Sequence, residues 1–175
     1  MLPVLKLFKP FWDICKLKLG PQALPAYVSL FFVALVIATI IDSISTSLLM
    51  PELTGLHALV IVAIYNVVLL VTIYGLMTLL GYRTRIMQTL TALVGCGLII
   101  SLVLLPGIVI STIGSGQEKL FGLILLVDNV WRIAVNAHIF RHAFSVGMLM
   151  SMILSVSYLL FGILLADFIL PVDVR

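Results

Sequence analysis

Charge is what this sequence is short of. Of its 175 residues only 10 are Lys or Arg and 7 are Asp or Glu, while hydrophobic residues reach 63%. A soluble domain averages about 25% charged and roughly 45–50% apolar residues. Too little polar surface is left to cover a water-soluble globule of this length, and lipid in place of water resolves the deficit. Cysteine is scarce too: Cys15 falls in a basic N-terminal segment and Cys96 in an apolar run, so neither a disulfide framework nor a CxxC metal site is implied. Common enzyme signatures are missing, with no HExxH, GxSxG, P-loop or dinucleotide-binding glycine fingerprint. Gly95-Cys96-Gly97 lacks every companion a nucleotide loop needs. The chain therefore reads as non-enzymatic, with no catalytic residue, cofactor, metal or nucleic-acid partner expected.

What is present is a series of long apolar runs punctuated by Pro, Gly and charge. The expected fold is all-α: a polytopic helical bundle of five transmembrane helices preceded by a short interfacial amphipathic helix. Residues 1–23 form the interfacial segment. Lys6, Lys9, Asp13 and Lys16 recur at helical spacing, and Leu5, Phe8, Trp12, Cys15 and Leu19 share the other side. Such a helix lies in the headgroup plane. Pro10 is expected to break it, so that a helix begins at Pro10 and stops at Gly20-Pro21. The same charges interrupt any apolar core of a cleavable signal peptide, and no small-x-small cleavage site follows.

Residues 24–170 form the bundle, with spans at about 24–46, 56–80, 86–110, 119–141 and 145–170 and a tail at 171–175. Each approaches the ~20 residues needed to cross a hydrocarbon core of about 30 Å. Five crossings put the termini on opposite sides. With the N-terminus in the cytoplasm, Lys6, Lys9, Lys16, Lys18, Arg83, Arg85 and Arg141 lie inside, and only Lys119 and Arg175 outside. That bias follows the positive-inside rule. The outer connections take Asp42, Glu52, Glu118, Asp167 and Asp173. The fourth span is the weakest crossing; without it both termini would lie inside.

That fourth span also holds the main concentration of polar groups. Asp128, Arg132 and Asn136 are spaced by four, with Asn129 beside them, and so fall along one slowly drifting helix face. Asp128 can pair with Arg132 one turn later. An isolated charge at the bilayer centre costs about 2.5–3.5 kcal/mol, so this face is expected to turn inward, toward Asn66 of the second span or the Gly95/Gly97 backbone of the third. Asp128 reads as the only acid deep in a span. The stripe is either a clamp that fixes packing, a binding site, or a transport site; no inverted repeat or pair of broken helices favours transport. His138, Arg141 and His142 form a cytoplasmic-end interface with Arg83 and Arg85. His138 and His142 could share a metal face, but zinc needs further ligands, and interfacial histidines without a metal are the expectation. Ser151 and Ser155 are spaced for close helix packing in the fifth span.

Three blocks carry a family resemblance: Cys15-Lys16-Leu17-Lys18-Leu19-Gly20-Pro21-Gln22-Ala23-Leu24-Pro25; Arg85-Ile86-Met87-Gln88-Thr89 with Gly95; and Trp131 through Ala143. Together they resemble small inner-membrane proteins of Gram-negative bacteria, whose layout is similar to the five-span Yip-type (Rab/Ypt-interacting) membrane proteins. The resemblance implies a multi-span fold, an accessory role and no catalytic residues to carry over; the Rab-binding role of eukaryotic relatives does not transfer to a bacterium. The resulting expectation is a multi-pass protein of the bacterial inner membrane, N-terminus cytoplasmic and C-terminus periplasmic. It would act as an accessory, scaffold or assembly factor for an envelope complex. Its partners would be membrane lipids and a membrane-protein partner or a second copy. The alternative is a small transporter or lipid-binding protein that uses the stripe.

Overall fold

A computed structural model describes residues 3–53, 55–113 and 118–170. Its helices are α1 (Pro3–Cys15), α2 (Val28–Leu49), α3 (Gly55–Leu79), α4 (Ile86–Ile113), α5 (Glu118–Ala143) and α6 (Met148–Ile169), with 3-10 turns at Pro21–Ala23 and Arg83–Arg85. No strand occurs among the described residues. Helices α2 to α6 are each long and apolar enough to cross a membrane. At 1.5 Å per residue even the 22-residue helices reach about 33 Å, more than the ~30 Å core. The chain is a multi-pass membrane protein, and α5 is long and apolar enough for a full crossing despite its polar stripe. The tail at 171–175 and the Gly114-Ser115-Gly116 break lie outside the described residues.

Three helix ends use one device. Leu17 (φ 60°), Gly81 (φ 84°) and Ser145 (φ 53°) each take the left-handed conformation just past α1, α3 and α5. The amide of the next residue then bonds back to the carbonyl five positions earlier: Lys18 to Asp13 at 2.9 Å, Tyr82 to Met77 at 2.8 Å and Val146 to Arg141 at 3.3 Å. This satisfies carbonyls that a helix end leaves orphaned. Gly81 does so without strain, whereas Leu17 and Ser145 adopt a conformation that costs an L-residue about 1–2 kcal/mol.

Helix α4 is the hub. It packs against α2, α5, α1 and α3, and contacts between α3 and α6 close the ring. Every residue from Thr89 to Cys96 is buried, so this half of α4 is wrapped on all faces by protein. Helix α6 seats on α5 through Ser151 and Ser155, both fully buried, with the Ser155 hydroxyl donating to the Ile133 carbonyl at 2.8 Å. Small residues let backbones approach and a hydroxyl supplies a directional bond where lipid offers none.

The amino-terminal segment departs from expectation in three ways. Helix α1 runs unbroken through Pro10. Proline removes one bond, the one its missing N–H would give to Lys6, and Phe11, Ile14 and Cys15, all buried in the bundle core, hold the helix across that gap. Helix α1 stops at Cys15, at the Leu17 turn, and not at Gly20. The first span begins at Val28 and runs to Leu49, later than 24–46, because Leu24 precedes Pro25 and is held extended (φ −85°, ψ 142°). A residue before proline is sterically pushed out of the helical region. The other span boundaries agree with expectation to within about three residues.

Candidate functional site

The bundle's ionic centre joins three helices. On α5, Arg132 Nε donates to both oxygens of Asp128, at 2.8 and 3.0 Å, the pair expected from their spacing. Arg132 Nη2 donates to the Ser101 hydroxyl of α4 at 2.9 Å, and that hydroxyl donates onward to Asp42 Oδ1 of α2 at 2.7 Å. One guanidinium thus serves two carboxylates, one directly and one through a hydroxyl. The guanidinium lies against the α4 backbone at Gly97, where a side chain's first carbon would stand 3.6 Å from Nη1. Gly97 is therefore the half of the Gly95/Gly97 pair that the stripe meets; Gly95 faces Phe11 of α1 instead, and a Cβ there would collide with the ring.

Asp42 corrects the sequence reading. The spacing of charges puts it in an outer connection and leaves Asp128 as the only acid deep in a span. The structure sets Asp42 seven residues before the end of α2, about 10 Å inside the helix terminus. Hydrophobic runs resume on both sides of it, Ile40-Ile41 before and Leu48-Leu49-Met50 after, which is the signal that could have kept it within the span. Ser101 bridges this centre and Tyr65 and Tyr158 line the cavities beside it, and nothing in their local sequence spacing marks them.

Two cavities flank this centre and share Asp42, Tyr65 and Arg132 in their walls. The smaller, about 120 Å³, extends toward the α4 N-terminus and includes Asn66, Gly97, Asn136 and Tyr158. Asn66 lines this cavity together with the stripe residues Arg132 and Asn136, while its amide donates to Thr39 Oγ1 at 3.3 Å. The larger, about 390 Å³, extends the other way, between α2, α3, α4, α5 and α6. Asp42, Ser101, Asp128 and Arg132 make its polar end, and Leu49, Met50, Ile163, Ile169 and Leu170 its apolar walls and rim. Asn129 borders it but turns its amide back to the Leu125 carbonyl at 2.8 Å. A cavity of this size falls in the range of small-molecule sites, roughly 300–1,000 Å³, whose walls are mostly apolar with a few placed polar groups.

A second polar assembly lies at the other end. Side chains of α4 and α5 reach main-chain carbonyls at the end of α1 and in the segment between α1 and α2. Trp131 Nε1 reaches the Cys15 carbonyl at 3.2 Å, Gln88 Nε2 the Leu24 carbonyl at 3.0 Å, and His138 Nε2 lies 2.9 Å from the Leu19 carbonyl. Arg85 Nη1 holds the Ser145 hydroxyl at 2.6 Å and the His142 carbonyl at 3.1 Å. The three blocks singled out in the sequence thus converge in space. His138 and His142 stack edge to face at 4.7 Å, while Arg83 and Arg141 are exposed. The expected cytoplasmic-end interface therefore divides: His138 lies on the segment after α1, Arg85 ties the end of α5 to the turn before α6, and Arg83 and Arg141 face outward. Among the described residues, no group of three or more His, Cys, Asp or Glu side chains gathers in a way that could hold a metal ion.

No family model, curated protein or solved structure matches this chain.

Proposed function

We propose that this chain is a non-catalytic protein of the bacterial cytoplasmic membrane that binds one lipid-like amphiphile in the larger cavity, with the polar end of that molecule at the Asp42–Ser101–Arg132–Asp128 centre. The observation that carries this reading is the cavity's polarity: mostly apolar walls of α2 and α6, in which Ser45 and Thr46 turn their hydroxyls back to the Ile41 and Asp42 carbonyls, lead about 10 Å inward to a floor of charged groups. A cavity built only for packing has no need of two carboxylates and a guanidinium, each costly to bury in hydrocarbon. Lys9, Lys16, Lys18, Arg83, Arg85 and Arg141 belong to the end that carries α1, which supports an N-terminus on the cytoplasmic side and a cavity that opens toward the periplasm.

A photoactivatable lipid with its diazirine in the acyl chain tests the reading in reconstituted bilayers. The expected adducts lie on cavity residues such as Met50, Ala166 and Ile169. Labels confined to outward-facing Leu160, Leu164 and Phe168 would remove the cavity from consideration.

The exposed Arg83 and Arg141 favour a second reading, an accessory or scaffold role in an envelope complex through the same basic end. A stoichiometric membrane-protein partner lost on Arg83→Glu/Arg141→Glu supports it; purification of the chain alone in mild detergent removes it.

A further inference from the structure

The polar centre has a sign. Two carboxylates, Asp42 and Asp128, face one guanidinium, and the guanidinium is already committed: Nε to both oxygens of Asp128 and Nη2 to Ser101. Its remaining nitrogen, Nη1, lies against Gly97, which borders the smaller cavity and not the larger one. On the side of the larger cavity the acceptors are in surplus. Asp42 receives the Ser101 proton on Oδ1, and no described residue donates to its Oδ2. A carboxyl group beyond the count of cations, at the bottom of an apolar cavity, is held ionised by an occupant that brings its own positive charge and its own N–H donors.

Resting on the reading that this cavity takes an amphiphile, we infer that the amphiphile is cationic: an ammonium group on an apolar tail, with the N–H bonds directed at Asp42 and Asp128 and the tail running between α2 and α6 toward Met50 and Ile169. An ammonium offers three donors and no acceptor, which suits a floor of carboxylate oxygens. An anionic head would add a third acidic group to Asp42 and Asp128 against one guanidinium, and a neutral alcohol would bring no charge to the surplus carboxyl group. The ammonium can come from an aminophospholipid of the bilayer or from a free lipophilic amine.

The test compares decylamine, decanol and decanoate, three equal tails with different heads, on the purified protein in phosphatidylcholine nanodiscs, with binding followed by calorimetry. Decylamine is expected to bind at least tenfold more tightly than decanol, with decanoate weakest. Asp42→Asn is expected to erase the preference for decylamine, and Ala166→Trp, which fills the apolar part of the cavity, to abolish all binding. Because Asp42→Asn can perturb folding, the ranking of the three heads on the unaltered chain stands as an independent result. Equal binding of all three, lost on Ala166→Trp, would overturn the cationic assignment and leave the amphiphile site intact. Absence of binding, or binding indifferent to Ala166→Trp, would overturn the site itself. Competition by nanodiscs containing phosphatidylethanolamine identifies a bilayer lipid as the source of the ammonium, and persistence of decylamine binding in them identifies a free amine.

Discussion

Asp42 and Arg132 lie far apart in the sequence and are joined through a single hydroxyl, that of Ser101, which gives its proton to the carboxylate at 2.7 Å and accepts from the guanidinium at 2.9 Å. This link ties α2, α4 and α5 together at mid-depth. Without the hydroxyl, each charged group would keep its desolvation penalty and lose a partner. Ser101→Ala is therefore expected to destabilise the bundle by about 1–3 kcal/mol, the range for a buried group left unsatisfied. Unfolding in mixed detergent micelles reads this out. A change below about 0.5 kcal/mol, the scatter of neutral substitutions, would mean that the link contributes nothing.

Arg132 is expected to be non-additive with Asp128. Arg132→Leu strands two acids inside the membrane and should cost about 3–5 kcal/mol, as breaking a buried ion pair does. Adding Asp128→Leu removes one of those acids, and the double variant is expected to be more stable than Arg132→Leu alone. A thermodynamic cycle over the four proteins measures the coupling. Additive losses would indicate that the two side chains do not share an environment.

Much of this centre was legible in the sequence only where both partners sit on one helix. Asp128 and Arg132 are a turn apart, so their pairing needs no knowledge of packing. Asp42 has no partner on α2; its partner is set by the way α2 and α5 meet α4, and local spacing carries no trace of that. Its charge instead resembled the end of an apolar run. The five crossings were legible because length and hydropathy are properties of each segment alone. Docking of α1 was not: the spacing puts Leu5, Phe8, Trp12, Cys15 and Leu19 on the apolar side, whereas the core takes Phe11, Ile14 and Cys15 and leaves Phe8 and Leu19 exposed, and apolar residues read the same whether they meet lipid or protein.

Gly95 and Phe11 form the lock that holds α1 down. Gly95→Leu places a side chain where the Phe11 ring sits, and overpacking of this kind costs about 1–3 kcal/mol. The expected outcome is release of the 3–24 segment with the five spans intact, seen as faster amide exchange there and new reactivity of Cys15 and Cys96, both buried in the intact fold. Adding Phe11→Ala to Gly95→Leu makes room again and is expected to restore protection in part. Protection unchanged by Gly95→Leu would show that α1 is held by something other than this contact.

Topology follows from the basic end. A cysteine introduced at Arg83 or Arg141, in a background with Cys15→Ser and Cys96→Ala, is expected to react with an impermeant maleimide only after the membrane is opened. One introduced at Glu52, exposed at the opposite end of α2 and α3, is expected to react in intact spheroplasts. The reverse pattern would invert the chain and turn the larger cavity toward the cytoplasm.

The most direct measurement is an experimental structure of the chain in nanodiscs of native lipids. The account expects continuous, elongated density that enters between α2 and α6 at Met50 and Ile169 and ends within hydrogen-bonding distance of Asp42 Oδ2. Side chains of α2 and α6 packed directly on one another, with no density between the rim and the Asp42–Ser101–Arg132 link, would contradict it.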